Sequence, residues 1–269
     1  MANIAHLSNR GVIAVTGADR VTFLNGLVSN DVAQAAHGRA VWAAMLSPQG
    51  RYFSDFFIFF DDARLLLDAP REAVPEIVKK LSRYKLRAAV GLADVSDEVA
   101  VYAAWGGAPP PVALTAPDPR LRDAGYRLLS DGALTPTSDE AAYAVHRLAL
   151  GLPDGPPDLE VDKTLLLEAG FDELNGVDWK KGCYMGQELT ARTKYRGLVK
   201  RRLVPVMVNH PAPAPGAVIM AEGREVGTLR SAAGDMALAM LRVDALGMPM
   251  WVDEAPVTPK LPGWLVVNS

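Results

Sequence analysis

The sequence predicts an α+β chain in two parts: mixed sheets and helices over residues 1–200, then a small β-barrel over 201–269. Three observations lead there. Period-two apolar runs and helical apolar stripes mix irregularly through the first part, which favours α+β layers over a doubly wound sheet. A Gly- and Pro-rich stretch near 104–119 interrupts it and suggests two interleaved subdomains. Beyond Gly197, short strand-like runs with glycine turns replace any helical pattern, as in a small barrel or compact sheet.

Gly11–Val15 reads as a strand. Asp19 can cap the helix that follows, whose stripe is Val21, Phe23, Leu24, Leu27 and Val28. Ser29-Asn30-Asp31 breaks it, with turn and cap chemistry as the plainest role for Asn25, Asn30 and Asp31. Ala40–Leu46 and Tyr52–Phe60 form a hairpin about the turn Ser47–Arg51, the second strand apolar enough to be covered on both faces. Ala63–Asp68 adds a strand, Arg71–Leu81 a helix with Val74, Ile77, Val78 and Leu81 on one face, and Val90–Val95 another strand.

Ala104–Pro119 is expected as an extended loop, and Arg120-Leu121 with Gly125–Leu129 as a strand. Ser138–Leu150 is a helix with Ser138 as N-cap and Glu140 in its first turn. The barrel strands are Leu203–Val208, Val218–Met220, Arg224–Leu229 and Met236–Val243, and Pro205 sets the first at an edge or bulge. His210–Gly216 is a turn-rich connector.

Composition narrows the function classes. The chain is 49% hydrophobic and 22% charged with a net charge of −3, so it is globular and lacks the whole-chain basic field of a general nucleic-acid binder. One cysteine in 269 residues excludes internal disulfides and a self-contained iron–sulfur site, which takes four thiolates as a rule. His6, His37, His146 and His210 are scattered without ligand spacing, so no metal site is expected. The N-terminus lacks the basic and apolar blocks of a signal peptide, and no apolar run is long enough to span a bilayer. A cytoplasmic protein without a membrane partner is therefore expected.

The most informative stretch is Lys180–Arg192. It holds the lone Cys183 between Gly182 and Gly186, just before a helical run in which Glu188 and Arg192 stand four apart, acid first. Gly197 stops that helix after Lys194 and Arg196. A cysteine at a helix start beside Lys180 and Lys181 has its thiolate favoured. The alternative is a buried, inert thiol, the commonest fate of a free cysteine. The flanking glycines and charges argue for accessibility.

The order K-G-C-Y-x-G-Q-E-x-x-A-R, complete at Lys181, Gly182, Cys183, Tyr184, Gly186, Gln187, Glu188, Ala191 and Arg192, resembles the signature of the folate-binding YgfZ family, relatives of the glycine-cleavage aminomethyltransferase. The resemblance covers most of the chain in outline and is specific over Leu165–Gly197. It implies an aminomethyltransferase-like region, a C-terminal barrel, and tetrahydrofolate or a one-carbon derivative as cofactor. T-L-x-L-E-A-G at Thr164–Gly170 looks like the segment whose glutamate pairs with the pterin, which makes Glu168 the expected anchor through two parallel hydrogen bonds. F-L-N-G-L-V-S-N-D-V resembles the family's opening and implies Asn30 and Asp31 near the cavity. Arg87 is the implied cavity-facing cation. Tyr184, Gln187, Glu188 and Arg192 are expected beside the cofactor, Gln187 and Glu188 as polar or helix-start groups and Arg192 to orient Glu188 or bind an anion.

The implied function is a folate-binding accessory protein of iron–sulfur cluster assembly, with iron–sulfur assembly or target proteins as partners. Cys183 is its reactive thiol and Lys181 the electrostatic activator. A one-carbon (aminomethyl) transferase is the alternative. Those enzymes carry two adjacent acids early in the second hairpin strand, and here Ser54-Asp55 stands instead, which puts aminomethyl transfer in doubt. A tRNA-modification-related RNA-binding module rests only on the cations from Lys194 to Arg202, against an acidic whole, so nucleic acid is not an expected partner.

Overall fold

The computed structural model describes residues 2–112, 114–156, 158–197, 199–208 and 212–267. Its first part runs β1 (Asn3–His6), β2 (Arg10–Thr16), α1 (Arg20–Asn25), β3 (Val41–Leu46), β4 (Tyr52–Asp61), β5 (Arg64–Pro70), α2 (Val74–Lys85), β6 (Gly91–Asp94), β7 (Ala100–Trp105), β8 (Leu114–Pro117), β9 (Tyr126–Ser130), α3 (Glu140–Ala149) and α4 (Gln187–Arg196). The second runs β10 (Arg201–Met207), β11 (Val218–Ala221), β12 (Arg224–Ala233), β13 (Met236–Arg242), β14 (Met250–Val252) and β15 (Ala255–Pro259).

The strands form three sheets. One has the order β3-β4-β5-β2-β6, another β1-β7-β9-β8, and the third is a closed barrel, β10-β13-β12-β11-β14-β15. The barrel leaves no free edge to cover. Every β3 residue and most of β4 are buried, because both faces of this sheet pack on apolar neighbours. On one face Val74, Ile77 and Leu81 of α2 join Ile13, Phe56, Ile58 and Leu67. On the other, Trp42, Phe57 and Phe59 join Val101 and Leu129 of the second sheet and Leu203, Leu238 and Met240 of the barrel in one core. All three sheets therefore meet on the Trp42 face of the first.

Several local expectations change. Asp19 precedes α1 but makes no side-chain cap there; its carboxylate instead accepts the Ala89 N–H at 2.7 Å. The N-cap of α3 is Asp139, not Ser138, and it accepts the Ala142 N–H at 2.7 Å. Part of the expected 104–119 loop is strand β8, paired with β9, and β1 and β7 were hidden in weakly patterned sequence. Arg120-Leu121 is not a strand; Arg122–Ala124 is a 3-10 turn. In the 210–216 connector, His210 and Pro211 lie outside the described residues. No helix among the described residues is long and apolar enough to cross a membrane.

Candidate functional site

The cysteine loop is fixed from two sides. Gly186, the N-cap of α4, adopts φ 81°. A Cβ there would lie 2.6 Å from the Ser47 carbonyl oxygen and 3.1 Å from Gly50 Cα, so the start of α4 sits directly on the β3–β4 turn. Upstream, the Met185 N–H donates to the Gly26 carbonyl at 3.1 Å, and Lys181 Nζ donates to the carbonyls of Asn25 at 2.5 Å and Val28 at 2.7 Å. Lys181 thus caps the end of α1, one of the orphan-carbonyl positions that attract lysine. Burial pushes its ammonium down to about 8 against the pull of Asp31 and Asp178. Between these anchors Cys183 is free and exposed, four residues ahead of α4 rather than inside its first turn.

The rest of the motif supports this loop. Gln187 Oε1 accepts the Tyr184 N–H at 3.1 Å, tying helix start to loop. Tyr184 is buried, its hydroxyl pushed up to about 12 by burial, and Lys181 Nζ lies 5.0 Å from its ring. Arg192 holds Glu188 at 2.8 Å across one helical turn. Gly197 ends α4 with φ 62°, the left-handed stop expected.

Lys180 lines a cavity of about 570 Å³ with Asn30, Gln34, Trp42, Asn175, Val177, Asp178 and Trp179 among the other walls. Asn30 Nδ2 donates to the carbonyls of Trp42 at 2.8 Å and Asn175 at 2.7 Å, so it both frames the cavity and joins β3 to the loop before the motif. Asp178 accepts from Gln34 Nε2 at 2.7 Å and from the Lys180 N–H at 2.6 Å. Asp31 accepts the Ala33 N–H at 3.0 Å, the turn chemistry its type suggests. Ser29–Gln34 and Asn175–Cys183 thus set Asn30 in the cavity wall and Asp31 within electrostatic reach of Lys181, with Cys183 two residues further along the loop; Asp178, Trp42 and Trp179 are cavity residues that sequence reasoning passed over. Trp42 looked like ordinary strand core; Asp178-Trp179, directly ahead of the motif, was the signal available.

The other expected residues fall elsewhere. Glu168 is half-buried near Arg201, Arg51 and Arg202; burial pushes its carboxyl up, those guanidiniums oppose the shift, and its side chain makes no hydrogen bond among the described residues. It is not a wall of the 570 Å³ cavity. Arg87 is exposed after α2 and is not among the walls of the cavities described. Of the cations from Lys194 to Arg202, Lys194 pairs with Asp172 and Arg202 with Glu173, so two members of the supposed RNA-binding cluster are already neutralised.

The interior answers the question raised by Ser54-Asp55. Asp55 is fully buried, and its two oxygens accept from Trp42 Nε1 at 2.9 Å and the Tyr52 hydroxyl at 2.8 Å. Trp42 also stacks on Phe171 at 4.0 Å. Burial pushes the Asp55 carboxyl up, and Arg10 works against that. The Ser54 hydroxyl is buried without a hydrogen-bond partner among the described residues. Deeper still, Arg10 bridges Asp68 at 2.6 Å and Asp154 at 2.8 Å, while Arg120 and Arg127 lie 4.8 and 4.4 Å from the Phe57 ring. Burial acts to raise the Asp154 carboxyl, but the guanidiniums of Arg10, Arg127, Arg147 and Arg120 outweigh it and hold it far below the usual range. No group of three or more His, Cys, Asp or Glu able to hold a metal occurs among the described residues.

Three sheets with a thiol loop wedged against the first hairpin define an aminomethyltransferase-like protein closed by a C-terminal barrel. The GCVT N-terminal domain matches residues 1–112, and the CAF17 C-terminal beta-barrel domain matches residues 200–266. The crystal structure of glycine cleavage system aminomethyltransferase T from Bartonella henselae has the same fold, with a TM-score of 0.76 over 98% of this chain and 86% of that one at 16% identity. The iron-sulfur cluster assembly factor IBA57 of Mus musculus is 33% identical over 96% of this chain and 84% of its own length. The homologue from Mycosarcoma maydis is 38% identical over 78% of this chain. The chain therefore belongs to the IBA57 family. It spans 59% and 55% of the length of the Mycosarcoma maydis and Neurospora crassa relatives.

The likeness to the YgfZ family accordingly holds at the level of the shared fold. The cytoplasmic expectation is overturned, because these relatives are named as mitochondrial proteins. A lone free cysteine signals only a reducing compartment, and composition does not separate one such compartment from another.

Proposed function

We propose that this chain is an iron–sulfur cluster assembly factor that presents Cys183 to a cluster carried by a partner protein. The observation that supports this best is an exposed thiol on a loop pinned by Gly186 on the hairpin turn and by Lys181 on the end of α1. One thiolate cannot hold a cluster alone, so Cys183 supplies one ligand and the partner the others. In that step the thiol gives its proton to solvent, its sulfur bonds to one cluster iron, and the partner thiolate it displaces leaves that iron and takes up a proton from solvent, with no change of oxidation state. The relatives named as iron-sulfur cluster assembly factors support the pathway and the class of partner.

Tetrahydrofolate is the ligand proposed for the cavity beside the loop. Its 570 Å³ lies in the range of small-molecule sites, with indole and proline walls at Trp42, Trp179, Pro117 and Pro119 for a flat ring. Asp178, Asn30 and Asn175 offer acceptors to pterin N–H groups, and Lys180 and Arg39 offer cations to the glutamate tail. Bound there, folate would supply a one-carbon carrier. Glu168 remains the anchor proposed by resemblance and Asp178 the one proposed by position. Gln187 is a helix-start group that ties the loop, and Tyr184, Glu188 and Arg192 support it. The division of the chain at 200/201 is part of this proposal.

The transferase alternative is weaker, because Trp42 and Tyr52 already occupy both oxygens of Asp55 in the interior. The test is calorimetric titration of tetrahydrofolate into wild type, Glu168→Ala, Asp178→Ala and Cys183→Ala, with rescue of iron–sulfur enzyme activity in a deletion strain. The expected result is folate binding lost in one carboxylate variant and kept in Cys183→Ala, which fails to rescue. Rescue by Cys183→Ala overturns the thiol role, and wild type that ignores folate overturns the cofactor.

A further inference from the structure

The end of helix α2 carries an apolar residue in a strained conformation and almost fully exposed. Leu86 has φ 45° and ψ −109°, and the Ala88 N–H donates to the Lys85 carbonyl at 2.8 Å. That is a type II′ turn with leucine at the corner normally taken by glycine. Leu86 is nonetheless 89% exposed. Strain at a solvent-facing apolar residue gives the isolated chain no packing in return, and such outliers point to function outside it.

The surrounding charge says what kind of function. Between residues 77 and 93 there are five cations, Lys79, Lys80, Arg83, Lys85 and Arg87, and no acid, in a chain of net charge −3. Lys80 is turned inward over the Phe53 ring at 3.5 Å, and Lys79 is paired with Glu76 at 3.3 Å. Arg83, Lys85 and Arg87 make no ion pair or side-chain hydrogen bond among the described residues. The acids that approach the segment are Glu76, Asp19, whose carboxylate is taken by the Ala89 N–H, and Asp162, which acts on Lys80. Tyr84, 38% exposed, adds a second apolar body with a polar tip.

We propose that this tip docks on an anionic phospholipid bilayer, with Leu86 inserted between headgroups and Arg83, Lys85 and Arg87 on the lipid phosphates. An exposed aliphatic side chain with three cations within three residues of it in the chain suits a deformable surface of diffuse negative charge. None of these residues is a wall of the cavities described. Leucine adds nothing to a phosphate backbone, and the lone Tyr84 is no stacking platform, so nucleic acid is the poorer occupant. The contact is peripheral, needs no spanning helix, and revises the expectation of no membrane partner.

The test is flotation of the full chain with phosphatidylcholine vesicles, with and without phosphatidylglycerol, and filter binding to a single-stranded RNA oligonucleotide. Wild type is expected to float with the anionic vesicles only and to be released by salt. Leu86→Gly relieves the turn, so it stays folded, and it is expected to lose about tenfold to a hundredfold in vesicle affinity. Arg83→Gln with Arg87→Gln is expected to lose about thirtyfold. The proposal is overturned if wild type ignores anionic vesicles, or if Leu86→Gly binds them as wild type does. Tighter binding to RNA than to vesicles, unchanged in Leu86→Gly, also overturns it and assigns the cations to a phosphate backbone.

Discussion

The two glycines that bound α4 form a matched pair for testing how the thiol loop is held. Both are left-handed, Gly186 at φ 81° and Gly197 at φ 62°. They differ in what a methyl group would meet. At Gly197 nothing among the described residues lies within 4 Å of the new Cβ, whereas at Gly186 it would be 2.6 Å from Ser47 O, 2.9 Å from Leu46 Cβ and 3.1 Å from Gly50 Cα. Gly197→Ala therefore costs only the left-handed penalty, about 1–2 kcal/mol. Gly186→Ala costs that and an overpacking of backbone against backbone, about 1–3 kcal/mol more. The total, about 2–5 kcal/mol, is a large fraction of ordinary domain stability. Urea unfolding of both variants, with the rate of Cys183 modification by a disulfide reagent under native conditions, checks it. Gly186→Ala should lose more stability and change the thiol rate, while Gly197→Ala leaves that rate unchanged. Equal losses and equal thiol rates would refute the idea that the hairpin turn positions the cysteine.

Two further outcomes follow from the ionisable groups. Lys181 sits at about 8 in the folded chain against an ordinary 10.5, so across that window the folded state binds fewer protons than the unfolded one and stability rises with pH. Wild type should gain on Lys181→Gln between pH 8 and 10.5 in urea unfolding, and a falling difference would mean that the carbonyls of Asn25 and Val28 hold the proton instead. Tyr52→Phe removes one of the two donors to buried Asp55 and should cost about 1.5–3 kcal/mol at neutral pH. The loss should shrink in acid as Asp55 protonates, and a loss independent of pH would show that its charge is not what Tyr52 serves.

Legibility in the sequence tracked the range of the interaction. The helix from Gln187 to its stop at Gly197 and the Glu188–Arg192 pair were readable because their causes lie within one or two turns. The caps were misread where a neighbour competed: Asp19 is drawn off α1 by the Ala89 N–H, seventy residues away. Strands β1 and β7 went unseen because their pattern is weak and their pairing is with each other across about a hundred residues of chain. For the site, the motif named the thiol and its helix, but Lys181 looked like a charge beside a cysteine until its ammonium was found on the end of α1. Trp42 had no local signature, and Asp178 had only its place just ahead of the motif, since it is the fold that brings β3 and that loop to one cavity.

The interior and the rim divide the polar chemistry between them, and the division bears on which activity this scaffold can carry. Inside, carboxylates are committed: Asp55 to Trp42 and Tyr52, Asp68 and Asp154 to Arg10, Asp158 to Arg147 and Ser231. Removing one partner of such buried pairs is costly, so these groups serve as structure and are poor candidates for a reacting amine. Arg147 also reaches Ser231 on barrel strand β12, which makes the same interior chemistry the joint between the barrel and α3. At the rim the reverse holds. Cys183 is free and exposed, while Lys181, Gln187, Glu188 and Arg192 of the same motif are tied to a backbone group or to another side chain. Interior acids held in pairs together with one free thiol are what the proposed ligand-presenting role needs, and they leave little for aminomethyl transfer.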